Sequence, residues 1–284
     1  MITGDDPRCV DAIESALPFV DRVVVNHNGT DDKVREAIEE IELPEDLELD
    51  ILEDKWKGSF SYHRNLVADY ASQDCTYAFV LDADEILDIS APEGIETGAV
   101  YVRDKITIDK PVVVTTHSDI GNGKRQSFEG VRLYHLQGDY PGIVLQKEPL
   151  NPKPGWHYMF RAHNYLCNVW DGLPPTSVVR VPSWFNIRHS GYTPVEIKKF
   201  DKSARTLGLL EADWKEYGHI LTAFYLTREH MGLNNYLTAE IWWQEVIERW
   251  DKAPKPITGM INPYAPSIQS WLEARRVSAG LRAN

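Results

Sequence analysis

The stretch Tyr77-Ala78-Phe79-Val80-Leu81-Asp82-Ala83-Asp84-Glu85 decides how this chain is read. A short run of bulky apolar residues ends abruptly in two carboxylates spaced i and i+2. Such a run reads as an interior strand of a sheet covered on both faces. Open α/β sheets bind ligands beyond the carboxyl ends of their strands, which is where Asp82 and Asp84 fall. Hard divalent cations take oxygen ligands, and Mg²⁺ is often held by one or two carboxylates while substrate phosphates complete its shell. A metal-bridged diphosphate is the chemistry expected here; the plainer alternative is a strand end with solvated acids.

Upstream, the two hydrophobic periods alternate. Phe60 to about Ser72 reads as a helix with Leu66, Val67, Tyr70 and Ala71 on one face, and Leu47, Leu49 and Ile51 alternate with acids as a strand. Val23-Val24-Val25 is a further strand, broken at Asn26-His27-Asn28-Gly29-Thr30-Asp31-Asp32. Gly and Asn supply turn conformations there, and the Asp pair can cap a helix carrying Val34, Ile38 and Ile41. Asp6-Pro7 reads as the cap and first position of a helix with Ile13, Ala16 and Leu17. The repeat predicts an α/β domain of three layers with a mainly parallel sheet.

Downstream, from Ala99 to about Val181, strand-like pieces such as Ala99-Val100-Tyr101-Val102 and Val112-Val113-Val114-Thr115-Thr116 alternate with polar, proline-rich connections. Glu148 to Gly155 contains three prolines and reads as a loop, a lid in function or an ornament. After Pro194 the pattern is helical to the end: Leu207, Leu209, Leu210 and Trp214, then Ile220 to His230, then Tyr236 to Trp250 after a Gly232-Leu233-Asn234 turn. The last two form a helical hairpin. Trp242 and Trp243 read as core and interface residues rather than a sugar platform.

The 284 residues, 43% apolar, can bury one large core with or without a subdomain. A formal charge of -13 repels the phosphate backbone, which argues against nucleic acid as a partner. Cys9, Cys75 and Cys167 are odd in number, widely spaced and without a CxxC pair, so free thiols in a reducing compartment are expected. Met1 to Asp6 carries neither a basic nor an apolar leader region, and no run of eighteen apolar residues occurs, so a cytoplasmic protein with no transmembrane segment is expected.

Four phrases in order resemble the family two glycosyltransferases, in a bacterial-type branch with a C-terminal tetratricopeptide-like helix pair. They are Val23-Val24-Val25-Asn26-His27-Asn28-Gly29-Thr30-Asp31, then Trp56-Lys57-Gly58-Ser59-Phe60 with Arg64-Asn65, then Leu81-Asp82-Ala83-Asp84-Glu85, then His189-Ser190-Gly191-Tyr192 followed by Lys198 and Arg205. Tyr217 to Ile247 resembles the helix pair. The resemblance implies a Rossmann-like GT-A domain over residues 1–193 and a helical extension packed on it over 194–284. It also implies a metal-dependent, inverting transfer of sugar from a nucleotide-diphosphate donor to a hydroxyl of a glycan, lipid or protein. The alternative is a catalytically silent GT-A domain that binds a sugar nucleotide or glycan. A sugar nucleotidyltransferase would open on a glycine-rich loop and a basic signature, and Thr3-Gly4-Asp5-Asp6 offers neither.

By the same resemblance Asp84 binds Mn²⁺ or Mg²⁺ directly, while Asp82 contacts the donor ribose or a metal-bound water; carboxylate chemistry alone permits either order. His189 is the candidate third metal ligand, with a buried structural histidine as its alternative. Arg64 either binds donor phosphate or braces the acids. Thr3, Asn26, Asn28, Trp56, Asn65 and Ala83 complete the expected donor site, with Trp56 either stacking on a ligand or filling space. Candidates for the general base are Glu129, Asp139 and Asp171, of which Asp171 is chosen.

Two departures from the family pattern bear on base recognition. Asn26 stands where an acid is usual, and Gly4-Asp5-Asp6 replaces Lys-Asn-Glu after a shortened opening strand. Arg161-Ala162-His163-Asn164 is the nearest match to an Ile-His-Glu phrase, and it lacks the acid.

Overall fold

The computed structural model describes residues 1–90, 110–120, 124–136, 156–163, 165–168, 174–175, 178–190 and 202–278. The chain divides into two compact units, Met1–Met159 with Leu166–Phe200, and Phe160–Tyr165 with Asp201–Asn284. The architecture is mixed α/β.

In the first unit, α1 (Cys9–Ala16) precedes β1 (Arg22–His27), α2 (Asp32–Glu39), β2 (Glu48–Glu53) and α3 (Phe60–Ala71). α1 starts later than Asp6-Pro7 suggests. The Asp6 carboxylate accepts the Arg8 amide at 3.1 Å and pairs with its guanidinium at 2.6 Å, which holds these residues in a turn ahead of the helix. β1 and β2 pair in parallel, from Arg22 opposite Glu48 to His27 opposite Glu53. The intervening α2 is capped by Asp31, whose side chain accepts the Lys33 amide. Ser59 caps α3 in the same way through the Tyr62 amide. Both caps satisfy amides that a helix start leaves without partners.

The strand carrying the acidic phrase is β3 (Tyr77–Phe79), followed by β4 (Glu85–Ile89), β5 (Val112–Asp119), β6 (Arg125–His135), β7 (Trp156–Met159), β8 (Tyr165–Asn168), β9 (Val179–Arg180) and β10 (Phe185–His189). Six of these form one sheet in the order β3-β6-β5-β10-β4, with β9 beside β5; β7 and β8 pair separately. The expectation of a mainly parallel sheet is corrected here. The pairs β3–β6, β5–β6 and β4–β10 are antiparallel, whereas β5–β10 and β5–β9 are parallel. For β5 and β6 the cause is connection length: a parallel return needs a crossover of about a dozen residues, and only 120–124 separate them. The equally short link 80–84 joins β3 and β4, the two ends of the strand path, so the sheet curls. Phe19, Leu81, Leu87, Val114, Phe185 and Ile187 fill one core of this unit, and Cys9, Ile13, Val25, Val34, Ile38 and Ala83 another.

The second unit is built from α4 (Lys202–Tyr217), α5 (Ile220–Gly232), α6 (Tyr236–Arg249), α7 (Lys255–Ile261) and α8 (Ala265–Ser278). The α5–α6 hairpin turns through Asn234, which takes the left-handed conformation at φ 59°. Trp243 is buried, and Trp242 meets Trp214 edge-on at 5.2 Å over a core of Ala162, Leu210 and Leu226. Phe160 and His163 also hold positive φ, 69° and 47°, a strained state for non-glycine residues. The turn is held by Asp213, which accepts the Arg161 amide at 2.8 Å and its guanidinium at 3.0 Å. Burial raises the pKa of Asp213, against the pull of these Arg161 bonds. His163 stacks on Tyr225 and approaches Glu229 at 3.3 Å. Among the described residues no helix is long and apolar enough to cross a membrane.

Candidate functional site

The turn after β3 is closed reciprocally. The Glu85 amide donates to the Asp82 carbonyl at 3.0 Å, and the Asp82 amide donates to Glu85 Oε2 at 2.9 Å. Ala83 is buried between the two acids and packs in the core with Cys9, Ile13 and Val25. Glu85 is only 1% exposed, and its Oε1 accepts from Arg132 of β6 at 2.5 Å. The same guanidinium lies 3.8 Å from Asp82 and 3.5 Å from Thr116 Oγ1. Arg64, one turn into α3, donates to Asp82 Oδ1 at 2.5 Å and lies over the Tyr158 ring at 5.0 Å.

Two guanidiniums therefore flank Asp82. Burial would push its pKa up, but Arg64 and Arg132 outweigh it and hold the carboxyl below its ordinary value. Burial pushes Glu85 the other way, to a raised pKa, in spite of Arg132. Of the two roles open to Arg64 from sequence, bracing the acids is the contact present in the structure.

Asp84 sits differently. His189, at the end of β10 and opposite Glu85 in the ladder, places Nε2 3.3 Å from Asp84 Oδ1. The Asp84 backbone is tied down as well: its carbonyl accepts the Ser190 amide at 3.1 Å and the Ser190 hydroxyl at 3.3 Å, and Arg8 donates to that hydroxyl at 3.1 Å. Among the described residues no three His, Cys, Asp or Glu side chains gather into a group that could hold a metal. A closed protein cage for a cation is thus absent from this part of the chain. One carboxylate beside one imidazole still fits Mn²⁺ or Mg²⁺ of the kind whose remaining positions go to water and substrate phosphate.

The other expected donor residues line the carboxyl-end rim of β1 and β2. Thr3 is buried, its amide donating to the Asn26 carbonyl at 3.2 Å and its hydroxyl 3.3 Å from His27 Nδ1. Asn26 is fully buried and donates to the Leu52 carbonyl at 3.2 Å. Gly29 packs so closely on the preceding loop that a Cβ there would fall 2.0 Å from Asp5 Oδ1 and 2.6 Å from the Gly4 backbone. Asp5 in turn accepts the amides of Thr30 and Asp31, which lower its pKa. Trp56, 39% exposed, stacks flat on the buried His63 ring at 5.1 Å and meets Phe60 edge-on. Burial lowers the pKa of His63, whose Nε2 accepts the Lys57 amide at 3.1 Å. Asn65 points elsewhere: its amide group binds the Tyr158 backbone in both directions, at 3.0 and 2.7 Å, and fastens α3 to β7.

Nine buried side-chain polar atoms have no hydrogen-bond partner among the described residues, and five of them come from this rim. They are Asn26 Oδ1, Asn28 Nδ2, Asp54 Oδ2, His63 Nδ1 and Arg64 Nε. Buried polar groups are nearly always paired, so these five atoms have bonds still to make with groups other than the described residues.

Asp139, Asp171, Lys198 and the Gly191-Tyr192 end of the last phrase lie outside the described residues. Glu129 is paired with Arg180 at 3.0 Å, and Arg205 belongs to the second unit. Arg132 and Glu85 were not assigned roles from sequence. The signal for Glu85 was present, since a third acid follows the pair; Arg132 gives none, because only the pairing of β6 with β3 and β5 brings it to the turn.

No protein-family model matches the chain. It is similar to two curated proteins, the SPbeta prophage-derived glycosyltransferase SunS of Bacillus subtilis strain 168 and the glycosyltransferase SunS of Bacillus phage SPbeta. Each is 26% identical over 204 residues, which is 72% of this chain and 40% of the relative. The chain thus spans less than half the length of the curated relatives it matches.

Proposed function

We propose that this chain is a glycosyltransferase of the GT-A type, moving a sugar from a nucleotide-diphosphate donor to an acceptor hydroxyl with inversion. The observation that carries the reading is the set of unpartnered polar atoms on the rim from Asn26 to Arg64, beside the Asp82–Arg64 and Asp84–His189 pairs. The similarity to proteins named glycosyltransferases supports sugar as the group transferred.

Asp84 and His189 would hold Mn²⁺ or Mg²⁺, and such a cation offsets the negative charge that develops on a departing diphosphate. Arg64 and Arg132 keep Asp82 ionised and fixed in direction, so its oxygens can accept from donor ribose hydroxyls without reorganising. Asn26, Asn28 and Asp54 offer an acceptor, a donor and an acceptor to the nucleoside. Trp56, backed by His63, presents a rigid ring that excludes water from the mouth of the rim. Attack by the acceptor hydroxyl on the face opposite the diphosphate inverts the anomeric carbon and needs a general base. Asp171 is assigned that role; Glu129 is the poorer base because its carboxylate is held by Arg180.

The test is turnover. The purified chain is incubated with a panel of nucleotide sugars, simple acceptors and Mn²⁺, and released nucleoside diphosphate is measured. One donor should be turned over, chelation should stop the reaction, and Asp84→Asn should lower kcat by about a hundredfold or more. Tight donor binding without turnover would favour a silent binding domain, and binding of no donor at all would refute the reading.

A further inference from the structure

Strands β5, β10 and β4 lie side by side, and alternate residues of a strand share a face. On the inner face of these three strands Val112, Val114, Phe185, Ile187 and Leu87 form apolar core. At the carboxyl ends of β5 and β10 that core gives way to a last row that is polar throughout. Glu85 stands opposite His189, and His189 stands beside Ser118 in the parallel β5–β10 ladder. Their ladder neighbours His117 and Arg188 fall on the other face, where the Arg188 side chain is exposed.

The polar groups around this row are bonded. Glu85 accepts from Arg132 with one oxygen and from the Asp82 amide with the other. Thr116, two residues before Ser118, has its hydroxyl 3.5 Å from Arg132, and His189 faces Asp84. Ser118 differs. It is 2% exposed, and its Oγ has no hydrogen-bond partner among the described residues. A buried hydroxyl left without a bond is costly, so this oxygen is placed for a group that none of the described residues supplies.

We propose that Ser118 Oγ is a third side-chain ligand of the cation site formed by Asp84 and His189. The inference rests on the function proposed above, which gives those two residues to Mn²⁺ or Mg²⁺, and adds a residue to that site. Register puts Ser118 next to His189 on the same face, and all three side chains are largely shielded from solvent. An oxygen so enclosed is reached by an ion or a water rather than by a sugar ring. A hydroxyl is a hard, neutral oxygen ligand of the kind these two cations take. Carboxylate, imidazole and hydroxyl together leave the remaining positions of a six-coordinate ion to water and diphosphate.

The test uses the 284-residue chain and Mn²⁺ alone, with free Mn²⁺ read by electron paramagnetic resonance. Ser118→Ala should weaken Mn²⁺ binding by roughly tenfold or more, at least what loss of an outer partner costs a metal site. The Tm of the metal-free variant should stay the same or rise, because the hydroxyl removed had no bond to lose. Ser118→Cys should shift preference toward Cd²⁺ over Mn²⁺ by about tenfold or more, since sulfur favours soft cations. Unchanged Mn²⁺ binding in Ser118→Ala, a Tm lowered by several degrees without metal, or no shift toward Cd²⁺ in Ser118→Cys would overturn the assignment. Asp84→Asn separates the two claims. If it abolishes Mn²⁺ binding while Ser118→Ala does not weaken it, Ser118 is no ligand and the proposed function stands; if the unaltered chain binds no Mn²⁺, both fall.

Discussion

Removing Arg132 should cost more stability than any other single change at the acidic turn. The Arg132 side chain is buried, donates to the 1%-exposed Glu85 at 2.5 Å, and lies 3.8 Å from Asp82. Arg132→Met keeps most of the volume but leaves Glu85 as a buried charge without its cation. Breaking a buried pair from one side costs about 3–5 kcal/mol, or roughly 10 °C in Tm for a domain of this size. The pH dependence gives the sharper test. Burial already raises the folded-state pKa of Glu85, so between its unfolded and folded values the native state binds more protons than the unfolded state, and stability falls as pH rises. Losing Arg132 raises the folded value further, so the deficit at pH 7 should shrink at pH 5 as Glu85 takes up its proton. Adding Glu85→Gln to Arg132→Met should recover part of the loss at pH 7, because no buried charge remains. Urea unfolding of the three chains at both pH values measures this. A deficit under about 1 kcal/mol, or one that is the same at pH 5 and 7, would refute the reasoning.

Two further outcomes follow from the geometry. Asn65→Leu should lose about 2 kcal/mol by stripping both Tyr158 backbone groups of their partner, measured by urea unfolding, with donor affinity little changed because Asn65 faces β7. Gly29→Ala should force apart the Gly4-Asp5 loop and cost about 1–3 kcal/mol; in an NMR titration the Asp5 pKa should move back up as its amide bonds from Asp31 and Thr30 lengthen.

Local signals carried much of the fold. The continuous Val23-Val24-Val25 run, the cap Asp31, and the helical spacing from Leu207 to Trp250 each act within a few residues, and each corresponds to the element found there. Strand direction was not legible in the same way. The antiparallel β5–β6 pair follows from the short link at 120–124, whose brevity is visible only once the strand ends are known.

The candidate site divides along the same line. Asp82, Asp84 and His189 announce themselves by residue type and phrase, and the fold brings Asp84 to His189. Asn65, read as a supporting or sugar contact beside Arg64, has its amide matched to the backbone of a strand 93 residues away, a pairing that sequence does not show. Arg132 was invisible because its neighbours Asp82, Glu85 and Thr116 come from β4, β5 and the turn before β4, so only tertiary pairing defines its role.

The central claim is that the rim of β1 and β2, with Asp84 and His189, receives a nucleoside diphosphate together with a divalent cation. Thermal unfolding of the 284-residue chain with nucleoside diphosphates, with and without Mn²⁺, tests it most directly. A ligand at about a hundred times its Kd stabilises the native state by about 2.7 kcal/mol, so at least one nucleotide should raise Tm by several degrees with Mn²⁺ present and by much less without it. An unchanged Tm with every nucleotide, in the presence of Mn²⁺, would contradict the account.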